Sequence, residues 1–131
     1  MDWWIIGAQM KVLIVDDSAV VRRSVRTLFE SDPSFEVCGE AENGREAIER
    51  VGELHPELVI MDLSMPVLNG LDATRGIRRI KPQVPVILFS GFSDLLKEEE
   101  AYSVGISALV PKSRPSTLID VAHRLLRGSA A

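Results

Sequence analysis

From Lys11 onward, short apolar runs alternate five times with segments of helical spacing, and few architectures accept that pattern. The strand candidates are Val12–Val15, Phe35–Glu40, Leu58–Met61, Val86–Phe89 and Ala108–Val110. Four are short, rich in Val, Ile, Leu or Phe, and lack polar alternation, as strands buried on both faces of a parallel sheet do. Phe35–Glu40 is more polar and fits an edge. Between the strands, Val21, Val25, Leu28 and Phe29 fall on one helical face. Ala47, Ile48, Val51 and Leu54 do the same, as do Leu118, Val121, Ala122 and Leu125. Ser18 suits the N-cap of the first helix, and Pro33 lies just past its end. The fourth helix, from about Asp94 to Val104, has Leu95 and Leu96 followed by Glu98 to Glu100. With so few core positions it is expected to be the least firmly packed. Five strands alternating with five helices predict an α/β fold, a doubly wound parallel sheet with right-handed crossovers.

Composition narrows the function. The chain has 131 residues, one domain's worth, and its 46% apolar and 26% charged residues are typical of a soluble globular protein. No apolar run approaches the roughly 20 residues that cross a bilayer. A net charge of −4 argues against a nucleic-acid surface on this segment. The single cysteine, Cys38, can form no internal disulfide, which fits a cytoplasmic location, and its strand-like setting predicts a buried, inert thiol. Residues 1–9 stand outside the alternating pattern as an N-terminal extension, with Met10 reading as a start and 10–131 as the domain. The extension carries Asp2 where a signal peptide would be basic, and Trp3 and Trp4 receive no function.

In open parallel sheets the functional crevice lies beyond the carboxyl ends of the strands. Asp16 and Asp17 follow the first strand, Asp62 the third, Ser90 the fourth and Lys112 the fifth. Singly, each has an ordinary reading. A lone Asp at a strand end is usually a turn or cap residue, a Lys–Asp pair can be structural, and Ser90 before Gly91 can be a turn. All five on one sheet edge are harder to dismiss. Clustered carboxylates repel unless something positive binds among them. A magnesium ion suits oxygen ligands and a phosphate, and Lys112 adds a compact positive charge for a phosphate oxygen. Attack of the Asp62 carboxylate on phosphorus would then form an acyl phosphate.

VLIVDDS at Val12–Ser18, VIMDLSMPVLNGLDA at Val59–Ala73, VILFSG at Val86–Gly91 and VPKS at Val110–Ser113 resemble the receiver domains of two-component response regulators. The likeness runs from about Lys11 to Gly128. It implies a flavodoxin-like (βα)5 fold with strand order 2-1-3-4-5. It also implies Asp62 as phosphoacceptor, and Asp16, Asp17, Asp62 and the Ser64 backbone carbonyl around Mg2+. Ser90 is then the hydroxyl that moves toward the phosphoryl group, Lys112 its cationic partner, and Pro66 and Gly70 shape the loop after Asp62. Two positions depart from the pattern. Leu109 stands where the family's switch aromatic falls, and Tyr102 does not sit in the matching place. Ser113 replaces a frequent cis-proline, so a trans peptide is expected after Lys112.

The resemblance implies a phosphorylation switch. The chain would take a phosphoryl group from a sensor histidine kinase or histidine phosphotransfer protein. Its fourth helix, fifth strand and fifth helix would then shift and form a surface for homodimerisation or output control. The wording DLSMPVLNGLDAT, with PKS, looks most like receivers joined to LuxR-type helix-turn-helix domains, hence transcription regulation. The segment ends at Ala131, so it reads as a stand-alone regulator or as the receiver of a longer one. An alternative is a protein-interaction module that works unphosphorylated, for which Leu109 is the best support. An aspartyl-phosphate hydrolase would need a second acid where Ser64 stands, so no turnover of an external substrate is expected. Slow self-dephosphorylation is, with Ser64 and Phe92 flanking the phosphoryl group. His55 and His123 read as solvated helix residues, so the chain receives phosphoryl and does not donate it.

Overall fold

Alternation along each strand sends successive side chains to opposite faces of the sheet, and here both faces are covered. A computed structural model describes residues 9–91 and 98–128. Its elements run β1 (Met10–Val15), α1 (Ala19–Glu30), β2 (Phe35–Ala41), α2 (Gly44–Leu54), β3 (Leu58–Met61), α3 (Gly70–Ile80), β4 (Val86–Ser90), α4 (Glu98–Ser103), β5 (Ala108–Pro111) and α5 (Thr117–Gly128). All strand pairings are parallel, in the order β2-β1-β3-β4-β5. This is the flavodoxin-like topology expected from the sequence.

Two apolar layers result. Leu13, Val15, Val59, Met61, Val86 and Leu88 pack with Ala47 and Val51 of α2, Ile77 of α3 and Ala101 of α4. Their strand neighbours Val12, Ile14, Leu58, Ile60, Ile87 and Phe89 pack with Val25 and Phe29 of α1 and Leu118 and Ala122 of α5. The helical faces expected for α1, α2 and α5 therefore meet the sheet, except that Leu28 of α1 lies outside both layers. At the start of α1, the Ser18 side chain accepts a hydrogen bond from Val21 N. Asn43 and Asn69 cap α2 and α3 in the same way.

Two sequence readings need amendment. Cys38 is half-buried, because β2 is irregular where it pairs with β1: Val12 faces Val37, Leu13 faces Gly39, and Cys38 has no register partner. Burial still pushes its thiol pKa up. His123 is no solvated helix residue. Its Nε2 lies 2.9 Å from Asp32 Oδ2, and its ring packs on Phe35 at 4.9 Å, edge-on in turn to Phe29. His55 ends α2 as an exposed left-handed cap with φ of 51°. The described part of the fourth helix is Glu98–Ser103, with Ala101 its one buried residue. Asp94, Leu95 and Leu96, like Trp3, Trp4 and Phe92, lie outside the described residues. No described peptide bond is cis, including the one after Lys112. No helix among the described residues is long and apolar enough to cross a membrane.

Candidate functional site

The order of the strands turns distant residues into neighbours. β1 and β3 are adjacent at the sheet centre, and the ladder carries on past their ends. Asp16 N donates to Ala41 O at 3.0 Å and Asp62 N donates to Val15 O at 2.9 Å. Asp16 and Asp62 are thus held at the same level, only 2% and 4% exposed, while Asp17 faces solvent. On the other side β4 and β5 end together, Ser90 facing Pro111, and Lys112 N donates to Ser90 O at 2.8 Å. The ammonium of Lys112 reaches back to both buried acids, 2.9 Å from Asp16 Oδ2 and 2.9 Å from Asp62 Oδ1.

Asp16, Asp17 and Asp62 can bring one carboxylate oxygen each to within 4.8 Å of one another. Among the described residues three carboxylates lie beside one ammonium, which leaves the group under-neutralised. Burial pushes the Asp62 carboxyl up to about 6; the Lys112 bond opposes this, and the charges of Asp16 and Asp17 add to it. For Lys112, burial pulls the ammonium down, but its bonds to Asp16 and Asp62 outweigh that and its pKa ends raised. The donor set is all oxygen, compact and short of positive charge. It fits a hard divalent cation such as Mg2+.

The loop after Asp62 is shaped by close backbone contacts. Gly70 N donates to Leu63 O at 2.8 Å, and a Cβ on Gly70 would lie 2.1 Å from Asp62 O. Only glycine allows that approach. The buried Thr74 hydroxyl donates to Gly70 O at 2.7 Å, and Gly44 N at the start of α2 donates to Leu68 O at 3.1 Å. Between them Val67 takes a φ of 70°, closed by a 2.7 Å bond from Leu68 N to Pro66 O. The exposed Ser64 lines an open cleft with Asp17, Met65, Pro66 and Asn69.

Asp16, Asp17, Asp62 and Lys112 are therefore brought together as the sequence predicts, with Ser90 at the adjoining strand end and Ser64 on the rim. Sequence reasoning missed Arg22. Its Nη1 donates to the Asp16 carbonyl at 2.7 Å and its Nε to Glu40 at 2.8 Å, contacts that no local pattern signals. Leu109 is half-buried and packs with the α2–α3–α4 layer, on the face opposite Val110.

The profile of the response regulator receiver domain matches residues 12–123. A protein-glutamate methylesterase/protein-glutamine glutaminase of Pyrococcus abyssi is 42% identical over 123 residues, covering 92% of this chain and 33% of that protein. This chain spans about a third of the length of the curated relatives it matches. Among solved structures, the response regulator domain of Thermotoga maritima CheB is 34% identical with a TM-score of 0.76, covering 92% of each chain. A LuxR-family two-component response regulator from Aurantimonas sp. SI85-9A1 is 31% identical with a TM-score of 0.85, covering 92% of this chain and 86% of that one.

Proposed function

This chain belongs to the response regulator receiver domain family, and from that membership we propose that Asp62 is the residue that accepts the phosphoryl group. The observation that carries the reading is the setting of Asp62. It is 4% exposed at the carboxyl end of a central strand, 2.9 Å from an ammonium and beside two further carboxylates.

An Asp62 carboxylate oxygen attacks the phosphorus of a phosphohistidine on a sensor kinase or phosphotransfer protein. A P–O bond forms as the P–N bond breaks, and the electron pair stays with the imidazole nitrogen. Such transfers need positioning and charge neutralisation more than covalent help. Lys112 is held where it can meet a phosphoryl oxygen, and the Ser90 hydroxyl can donate to another. Asp16, Asp17, Asp62 and the Ser64 carbonyl would hold Mg2+, which supplies further positive charge against the phosphoryl oxygens. The domain turns over no external substrate. It catalyses its own phosphorylation and slow dephosphorylation.

The switching surface is α4, β5 and α5. β5 is an edge strand whose Pro111 faces Ser90, and α4, which precedes it in the chain, contributes one buried residue. With Leu109 in place of an aromatic, the shift passes through aliphatic repacking, and the surface serves a second copy or an output partner. The test is amide exchange with beryllofluoride and Mg2+, together with gel filtration. Altered exchange across Glu98–Pro111 is expected; unchanged exchange would refute the relay. If Asp62→Asn left partner binding intact, the phosphorylation-independent reading that Leu109 favours would stand instead.

Residues 10–131 form the receiver and 1–9 an extension outside it. Downstream output differs among relatives. The Pyrococcus relative is named for methylesterase and glutaminase activities, and the Aurantimonas one belongs to the LuxR family. Coupling to a methylesterase is the better supported reading. The LuxR-type output read from DLSMPVLNGLDAT rests on motif wording and is the weaker one. Action in the cytoplasm, without direct contact to nucleic acid or membrane, fits the acidic charge.

A further inference from the structure

We propose that Arg22 is a positioning residue for the acidic site: it grips the peptide between Asp16 and Asp17 and so sets the aim of Asp17 toward a bound divalent cation. The inference rests on the Mg2+ site proposed above.

The contacts of Asp16 are distributed so that one atom depends on Arg22. Asp16 N donates to Ala41 O. Its Oδ1 accepts from Ser18 N at 2.9 Å, and its Oδ2 pairs with Lys112. The carbonyl oxygen accepts from Arg22 Nη1 at 2.7 Å. A peptide is planar, so fixing the Asp16 carbonyl also fixes the nitrogen and Cα of Asp17. Asp17 is exposed. Its backbone sets the direction in which the Cα–Cβ bond leaves the chain, and so the region its carboxylate can reach.

Arg22 is itself anchored. Its side chain is 17% exposed, and its Nε donates to Glu40 Oε1 on β2 at 2.8 Å. Glu40 Oε2 accepts from Arg26 Nε at 2.7 Å. Burial pushes the Glu40 carboxyl up, but the two guanidinium bonds outweigh it and hold the group below its usual range. An ionised Glu40 therefore fixes one edge of the Arg22 guanidinium while the other edge grips Asp16. Only a rigid, forked donor reaches both acceptors at once.

The bland alternative is that Arg22, Glu40 and Arg26 merely bind α1 to β2. Two features separate the readings. Arg26 shares Glu40 but, with its other bond to Glu30, does not touch Asp16. Removing the positive charge of Arg22 should by Coulomb's law favour cation binding, whereas losing its grip should weaken it. The two accounts predict opposite signs.

The experiment is calorimetric titration of Mg2+ into the full chain and into Arg22→Met, Arg22→Lys and Arg26→Met, with folding checked by circular dichroism. Arg22→Met is expected to weaken Mg2+ about tenfold, the lower end for groups that orient metal ligands. Arg22→Lys keeps the charge, cannot serve both acceptors, and is expected to weaken it as well; it also serves if the Met variant does not fold. Arg26→Met should leave the affinity unchanged. As a second readout, exchange of the Asp17 and Ser18 amides should rise in both Arg22 variants without metal. Equal or tighter Mg2+ binding by the Arg22 variants overturns the inference, as does equal weakening by Arg26→Met. Absence of Mg2+ binding in the unsubstituted chain overturns the site reading itself, and this inference with it.

Discussion

Replacing Asp62 by Asn should stabilise the metal-free domain at neutral pH relative to the unsubstituted protein, and the gain should vanish in acid. The cause is the strained carboxylate: burial first, then the charges of Asp16 and Asp17, raise it to about 6 against the pull of Lys112. Its folded-state value lies above its unfolded value, so the folded protein binds more protons. Stability linked to this group is full below about pH 4 and is lost as pH rises through about 6. From 3.8 to about 6 is roughly two pKa units, or ~3 kcal/mol at about 1.36 kcal/mol per unit. Asn has no such titration. The bond to Lys112 is already contained in that net shift, so what remains between a neutral acid and an amide at this position is a small, nearly constant offset, and every other titrating group is common to both proteins. The slope of the difference therefore isolates Asp62. Urea unfolding with chelator present, at several values between about pH 4 and pH 8, measures it. The advantage of Asp62→Asn should grow by ~3 kcal/mol across that range, and Mg2+ should then stabilise the unsubstituted protein more than the variant. A difference that stays constant with pH would refute the electrostatic account of the site.

Two further substitutions test the loop after Asp62. Gly70→Ala sets a Cβ 2.1 Å from the Asp62 carbonyl oxygen, a backbone atom that cannot swing aside, and should cost on the order of 3 kcal/mol in urea unfolding; an unchanged midpoint would contradict that approach. Val67→Gly relieves a φ of 70°, worth about 1–2 kcal/mol for a branched residue, against about 0.5–1 kcal/mol of added chain entropy. A small net stabilisation is expected in the same assay, and a clear loss would show that the Val67 conformation is not strained.

Much of this was legible in the sequence because topology does the work. Once Val12–Val15, Leu58–Met61, Val86–Phe89 and Ala108–Val110 read as buried parallel strands, their carboxyl ends must share an edge. Asp16, Asp62 and Lys112 then converge without any local signal joining them. The helix faces of α1, α2 and α5 were readable for the same reason: one stripe of each must meet the sheet. What escaped depends on geometry between distant side chains. The His123–Asp32 pair joins residues 91 apart in the chain. The Cys38 irregularity is a matter of register between β1 and β2, and Val37, Cys38 and Gly39 give no pattern that marks it. Arg22 reads as one of several surface cations on α1. Only the path of the chain through Ser18 and up the helix brings its guanidinium back to the Asp16 carbonyl.

The central claim is that Asp62 accepts a phosphoryl group. Intact-mass measurement after incubation with Mg2+ and a small phosphodonor, beside Asp62→Asn, tests it most directly. The account predicts the mass of one added phosphoryl group on the unsubstituted chain, abolished by chelator and absent from the variant. The same addition on Asp62→Asn would contradict it.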